Sequence, residues 1–302
     1  MIAEKIYSES TTAAFSWKNK LRDYSQLIKF RLNMSVVFST FLGFILDTTG
    51  DINWLHLAIV VIGGFLTVGA ANGINQIIEK DSDRLMKRTE NRPLATNRMG
   101  VPEATIACLM MGVAGVFMIA YFLNPLSGLL SFAALFSYAF LYTPLKKLSP
   151  LSVYVGAIPG AISPTIGYVA ASGHLDTFAI LLFVIQFIWQ FPHFYSIAWI
   201  LDDDYKRAGL KMMPLGTTKN RKAALQIVLF SLLLIPVSFL PYILNCAHLL
   251  TCTLLAIGSG LFAYQSITLY RNLTNASAKK LMFGSIIYLP AMFLILLLEK
   301  IL

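Results

Sequence analysis

The stretch NGINQIIEKDSDRLMKRTENRPL, from Asn72 to Leu94, decides how the chain is read. It begins as the end of a long apolar segment and within two helical turns becomes a dense mixture of carboxylates and cations. On a helix that advances about 100° per residue, Asn75, Glu79 and Asp83 fall within an arc of about 80°, and Lys87 continues the stripe. One face therefore presents oxygen ligands followed by a cation. Asp81 lies about 200° round from Glu79 and faces away from that stripe.

The rest of the chain surrounds this stretch with hydrocarbon. Of 302 residues, 57% are hydrophobic and 13% charged, far more apolar surface than one or two water-soluble domains bury, so the class is an all-α polytopic membrane protein. The net charge of +9 does not point to nucleic acid, because the cations lie in short loops between apolar spans and not on a water-facing groove. Segments able to cross about 30 Å of lipid bilayer occur near 27 to 46, 54 to 78, 102 to 123, 126 to 143, 151 to 172, 177 to 200, 223 to 244, 247 to 269 and 281 to 298. That predicts nine transmembrane helices around a central cavity, with a tight hairpin at Asn124-Pro125. Residues 1–26 form a polar cytoplasmic segment, and 27–302 a single transmembrane domain.

Counting cations by side fixes the expected orientation. Of 24 Lys and Arg, 23 fall in the N-terminal segment and after the second, fourth, sixth and eighth spans, leaving Lys300 on the other side. The amino terminus is therefore expected in the cytoplasm and the carboxyl terminus across the membrane. Residues 1–26 hold no apolar run of signal-peptide length, and their acids and single Arg disfavour a transit peptide, which favours a bacterial inner membrane over a mitochondrial one. The three cysteines show no C-x-x-C spacing and read as small buried hydrophobes.

The sixth span ends AWILDDDYKRAG, from Ala198 to Gly209, four spans after the polar-ended second one. Two four-helix units plus a ninth helix fit that spacing. Glycine and proline gather in the second span (Gly63, Gly64, Gly69, Gly73) and the fifth (Gly156, Pro159, Gly160, Pro164, Gly167), either for close helix packing or to line the cavity. His56, His174 and His248 fall at the far-side ends without matching partners, as interfacial residues do.

A carboxylate at the bilayer centre costs about 2.5 to 3.5 kcal/mol, so the acids belong at the cytoplasmic mouth. The plain structural alternative is a solvated helix end with pairs such as Asp83 to Lys87. Against it stands the second cluster, Asp202, Asp203 and Asp204, at the same depth in the corresponding helix. Two acidic clusters ringed by Lys and Arg are what a magnesium diphosphate requires: magnesium takes one or two protein carboxylates, and the remaining phosphate charge needs cationic donors. Lys87, Arg88, Arg92, Lys146 and Lys147 are the supply.

Four runs carry a family resemblance: Asn75 to Leu94, YTPLKKLSP from Tyr142, GAIPGAISPTIGY from Gly156, and PHFYSIAWILDDDYKRAG from Pro192. Together they resemble the protoheme IX farnesyltransferases, or heme O synthases, of the UbiA-type intramembrane prenyltransferase superfamily. The resemblance implies that farnesyl diphosphate and heme b are the substrates, Mg2+ the cofactor and heme O the product. It places one metal motif on Asn75, Glu79 and Asp83 and a second on Asp203 and Asp204. Glu79 stands where Asp is usual, adding a methylene, and the triple aspartate lacks a D-x-x-x-D spacing, so which of its members ligates stays open. The family context also makes His193 a heme contact, about 16 Å deeper than Asp204 on the same helix face. It further implies association with heme-pathway or terminal-oxidase assembly proteins. Two other readings stay open: the same superfamily acting on an aromatic or quinone-precursor ring, and an ion or solute transporter, which would want its acids near midplane.

Overall fold

The computed structural model describes residues 16–47 and 51–299. Lys5 and Lys300 of the cation count lie outside the described residues. Among those residues no strand occurs, and nine helices are long and apolar enough to cross a membrane. They are α2 (Phe30–Asp47), α3 (Trp54–Asp83), α4 (Val101–Phe122), α5 (Pro125–Leu148), α6 (Ser152–Ser172), α7 (Thr177–Ile200), α9 (Arg221–Ile243), α10 (Leu249–Asn272) and α11 (Asn275–Leu298). Two shorter helices flank this set, α1 (Trp17–Leu27) and α8 (Asp202–Arg207).

Side-chain caps set several of the starts. Asn53, Asn124, Asp176, Asn220 and Thr274 each accept a backbone N–H from three residues on, satisfying a donor that the first helical turn leaves free. At the α4–α5 hairpin Asn124 is that cap and Pro125 occupies the first turn, where its missing N–H costs nothing. Three helices overrun their apolar limits. α3 reaches Asp83, α5 reaches Leu148, and α11 starts at Asn275. Hydropathy marks where the chain leaves hydrocarbon, whereas a helix continues as long as its polar end is bonded.

α1 is a finding that the polar composition of residues 1–26 concealed. Trp17, Leu21, Tyr24 and Leu27 recur at helical spacing, Leu27 is fully buried, and buried Asp23 takes Arg98 Nε at 3.0 Å. Arg98 also donates to Gln26 Oε1 at 3.0 Å, so the loop after α3 is latched onto α1.

The bundle's outer face is apolar, as lipid requires, and its largely apolar interior also holds small polar side chains. Ser131, Ser231, Ser259, Ser266 and Ser285 are at most 1% exposed, while Leu109, Met110, Val113, Phe117 and Tyr121 of α4 are more than half exposed. Each of α2, α3 and α4 packs on the next as far as α5, and α6, α7, α9 and α10 follow the same order. α2 against α6 joins the halves, and α11 closes against α10, α7 and α2. The α2–α6 seam is backbone on backbone: a Cβ on Gly167 would lie 1.8 Å from Thr40 O, and one on Gly43 2.0 Å from Pro164 O.

α5 changes winding at Ser137–Tyr142, a π-helical stretch in which Tyr138 O accepts the Thr143 N–H. Pro144 follows at once. It has no N–H for the Phe140 carbonyl and its ring crowds that carbonyl, and the wider turn accommodates both.

Gly167→Ala forces α2 and α6 apart and is expected to cost about 1 to 3 kcal/mol, read as a lower thermal midpoint in detergent. Gly260→Ala, where a Cβ meets nothing within 4 Å, is the control and leaves the midpoint unchanged.

Candidate active site

A cavity of about 930 Å³ opens in the middle of the bundle, lined from α2, α3, α5, α6, α7 and α11. Its upper rim carries Asn75, Glu79 and Asp83, all buried, which the 30-residue α3 presents on one stripe as the sequence spacing requires. Asp81 faces outward and pairs with Arg84 at 3.3 Å.

Each carboxylate on the rim meets a cation brought from elsewhere. Lys146 of α5 sits 2.7 Å from Glu79 Oε1, and Arg92 of the following loop grips both oxygens of Asp83 at 2.8 and 2.7 Å. Asp83 thus pairs with Arg92, not with Lys87. Asn75 links three elements: its amide nitrogen donates to Glu79 Oε2 (2.9 Å) and Thr143 Oγ1 (3.0 Å), and its oxygen accepts from Lys29 Nζ at 2.6 Å. The π turn of α5 aims Tyr138, Tyr142 and Lys146 at the same place. Lys146 Nζ lies 4.6 Å from the centre of the Tyr142 ring, and Lys29 Nζ 5.9 Å from that of Tyr138. Gly156 makes room for Tyr142, since a Cβ there would come within 2.7 Å of the ring.

Cations outnumber acids on the cavity wall. Lys29, Arg31, Arg88, Arg92 and Lys146 line it against only Glu79 and Asp83. Burial first, then repulsion from Arg92 and Lys146, pulls the Lys29 ammonium well below its ordinary pKa. Even so, Arg31, Arg88, Arg92 and Lys146 outnumber the two carboxylates, so the wall holds more positive charge than it neutralises, which suits a polyanion.

Other residues singled out in the sequence lie elsewhere. Asp203, Asp204 and Lys87 do not line the large cavity; with Arg88 and Arg207 they line a smaller pocket beside it. The cause is local: α7 stops at Ile200, Leu201 leaves helical geometry (φ −100, ψ 15), and α8 restarts at Asp202. Asp203 is exposed, and Asp204 pairs with Arg207 while accepting the Arg88 N–H at 3.3 Å. Asp202 is the buried member, bonded to Lys206 at 2.7 Å, which raises the Lys206 pKa. Lys147 is exposed and points away from the cavity. Arg88, Arg92 and Lys146 line the large cavity. His193 lines the cavity deeper down, beside Gln186 and Gln190 on α7.

Lys29, Tyr138, Tyr142 and Thr143 are site residues that sequence reasoning passed over. Lys29 was legible only as one of many cations; its reach depends on a left-handed backbone (φ 50) between α1 and α2. The Tyr142–Thr143 pair stood in a quoted run without a role. At the far side His248 pairs with Glu299, and His174 stands 3.6 Å from Asp176, so both have the carboxylate partners that the sequence did not reveal.

The glycines of α3 and α6 divide between two jobs. Gly63 and Gly73 pack tightly on α4, where an added Cβ would meet Ile119 at 2.7 Å and Cys108 at 2.3 Å, whereas Gly64, Gly156, Pro159 and Gly160 line the cavity. Among the described residues no three His, Cys, Asp or Glu side chains converge as a metal cluster. The rim's donors, the Asn75 amide and the Glu79 and Asp83 carboxylates, are all oxygen, the chemistry that suits a hard divalent cation whose other ligands arrive with phosphate.

Nine spans among the described residues, set around an apolar cavity with a cation-rich mouth, define an integral membrane protein. Residues 36–289 match the UbiA prenyltransferase family. Protoheme IX farnesyltransferase of Cytophaga hutchinsonii is 41% identical over 94% of this chain and 99% of its own length, and that of Nitrosomonas europaea 31% identical over 96% and 98%. Among solved structures, a digeranylgeranylglyceryl phosphate synthase superposes with a TM-score of 0.76 at 20% identity, covering 94% of this chain and 99% of that one. A UbiA homolog from Archaeoglobus fulgidus bound to GPP and Mg2+ gives 0.70 at 16% identity, covering 91% and 99%. The chain belongs to the UbiA prenyltransferase family.

Arg92→Ala strands the Asp83 carboxylate in a buried position and is expected to cost about 3 to 5 kcal/mol, whereas the double replacement Asp83→Leu, Arg92→Leu restores most of it. Thermal denaturation of the purified variants in detergent separates the two outcomes.

Proposed function

We propose that this chain transfers the farnesyl group of farnesyl diphosphate to a vinyl group of heme b, with addition of water, yielding heme O and diphosphate. The observation that carries the reading is the Asn75–Glu79–Asp83 stripe set among surplus cations at the mouth of an apolar cavity, in a chain whose curated relatives are protoheme IX farnesyltransferases.

The diphosphate sits at the rim, where Arg88, Arg92 and Lys146 supply guanidinium and ammonium donors and Lys29 a further N–H donor. Asn75, Glu79 and Asp83 would hold a magnesium ion carried with it, which would further neutralise the leaving group's charge. The C1–oxygen bond breaks, the electron pair departs with the diphosphate, and an allylic cation remains below the rim. Tyr138 and Tyr142 border that position with ring faces, which favour a cation. The vinyl double bond attacks C1, the resulting cation beside the porphyrin takes up water, and a proton is released. The apolar lower wall (Ile166, Ile286, Leu289, Phe293) holds the farnesyl tail and limits stray water.

In this reading Asp204 acts by holding the backbone of Arg88 at the rim, and Asp203, Lys87 and Lys147 serve the approach of the diphosphate from water. Residues 27–302 act as a single domain in a bacterial inner membrane. The mouth and the amino terminus face the cytoplasm, the carboxyl terminus lies opposite, and terminal-oxidase assembly proteins receive the product.

With purified protein, heme b and farnesyl diphosphate, product formation is expected to fall roughly 100-fold or more in Glu79→Ala and in Asp83→Ala. Chelation of divalent cations is expected to abolish it and added magnesium to restore it. Full turnover in either variant, or after chelation, contradicts the assignment.

A further inference from the structure

Ser285 of α11 lies at the bottom of a polar arrangement that the reaction scheme leaves unused. Its hydroxyl is 2.7 Å from His193 Nδ1 and 2.5 Å from the backbone oxygen of Met282. A serine hydroxyl has one proton and two lone pairs. The Met282 carbonyl can only accept, so the contact at 2.5 Å consumes the hydroxyl proton. The contact to Nδ1 then requires the proton to come from the ring: His193 donates from Nδ1 to Ser285 Oγ.

That assignment leaves Nε2 as the ring's lone-pair nitrogen. Among the described residues no hydrogen bond engages it, and His193 lines the large cavity. The ring is also held in orientation. Trp189, one turn earlier on α7, stacks on it with centroids 5.0 Å apart and planes 14° from parallel, and the Trp189 indole N–H donates to Ser285 O at 3.1 Å. One fully buried serine thus secures both the imidazole and the ring stacked on it.

An imidazole with Nδ1–H bonded to a neutral acceptor and Nε2 bare is the arrangement of a metal-ligating histidine, in which the second nitrogen fixes tautomer and angle. We propose that Ser285 is a positioning residue that presents His193 Nε2 as an axial ligand to the iron of the porphyrin substrate. The inference rests on heme b being the acceptor. Depth favours ligation over a proton-transfer role: His193 lies seven residues, about 10 Å, before the mouth end of α7 at Ile200, a depth that suits the centre of a porphyrin whose edge meets the allylic carbon better than that carbon itself.

Ferric heme b titrated into the purified full-length protein tests this by absorption spectroscopy, with the mass of the pigments read in the same samples after farnesyl diphosphate and magnesium are added. The wild type is expected to show a histidine-ligated Soret band. His193→Ala loses it while still binding farnesyl diphosphate, and His193→Gly regains it with added imidazole. Ser285→Ala is expected to weaken heme affinity about ten-fold, with Ser285→Thr close to the wild type. An unchanged Soret band in His193→Ala, or unchanged affinity in Ser285→Ala, overturns the inference. If the wild type still farnesylates heme under those outcomes, the proposed function stands and only the ligation fails. A wild type that neither binds nor modifies heme overturns both.

Discussion

Neutralising two carboxylates at the edge of a bilayer is the constraint on which the upper half of the molecule depends. Glu79 and Asp83 end a 30-residue transmembrane helix, and neither can remain buried there as an isolated charge. Lys146 answers from the end of α5 and Arg92 from the loop after α3. Meeting those two demands draws three separate segments to one point and creates the rim. Arg31 and Arg88 then line the cavity without a carboxylate of their own on its wall, and it is this excess that makes the rim a place for phosphate.

Below the rim the constraint is different. Hydrocarbon outside the bundle gives no hydrophobic drive for the helices to associate, so contact must come from close backbone approach and internal polar bonds. The Gly43–Gly167 seam supplies the first, and the Ser238–Ser259–Tyr288 and His193–Ser285 bonds supply the second. Ser285 shows how such a bond gains a second use. The hydroxyl that satisfies a helix carbonyl on α11 also fixes the ring of a histidine on α7, and so joins the closing helix to the cavity wall.

Much of this was legible in the chain because charge and hydropathy are written residue by residue. The nine spans, the one-sided cations and the 75–79–83 stripe follow from local spacing, and the NRPL run already contained Arg92. What spacing could not carry is where a helix stops. The turn at Leu201 removes Asp203 and Asp204 from the stripe of α7, and no pattern within DDDYKR announces it. Lys29 needed a left-handed residue between two helices, and Tyr142 needed the π turn imposed by Pro144. α1 was hidden by its charge, since four periodic apolar residues in a polar segment weigh little in an average over composition.

The central claim, that surplus cations and an apolar cavity serve farnesyl transfer to a porphyrin, is tested most directly by competition. Purified protein is given farnesyl diphosphate and magnesium together with equal amounts of heme b and a phenolic acid, and the products are weighed by mass spectrometry. The account predicts that heme alone gains the mass of one farnesyl group plus one hydroxyl group, with diphosphate released in equal amount. A prenylated phenolic acid beside unaltered heme would contradict it.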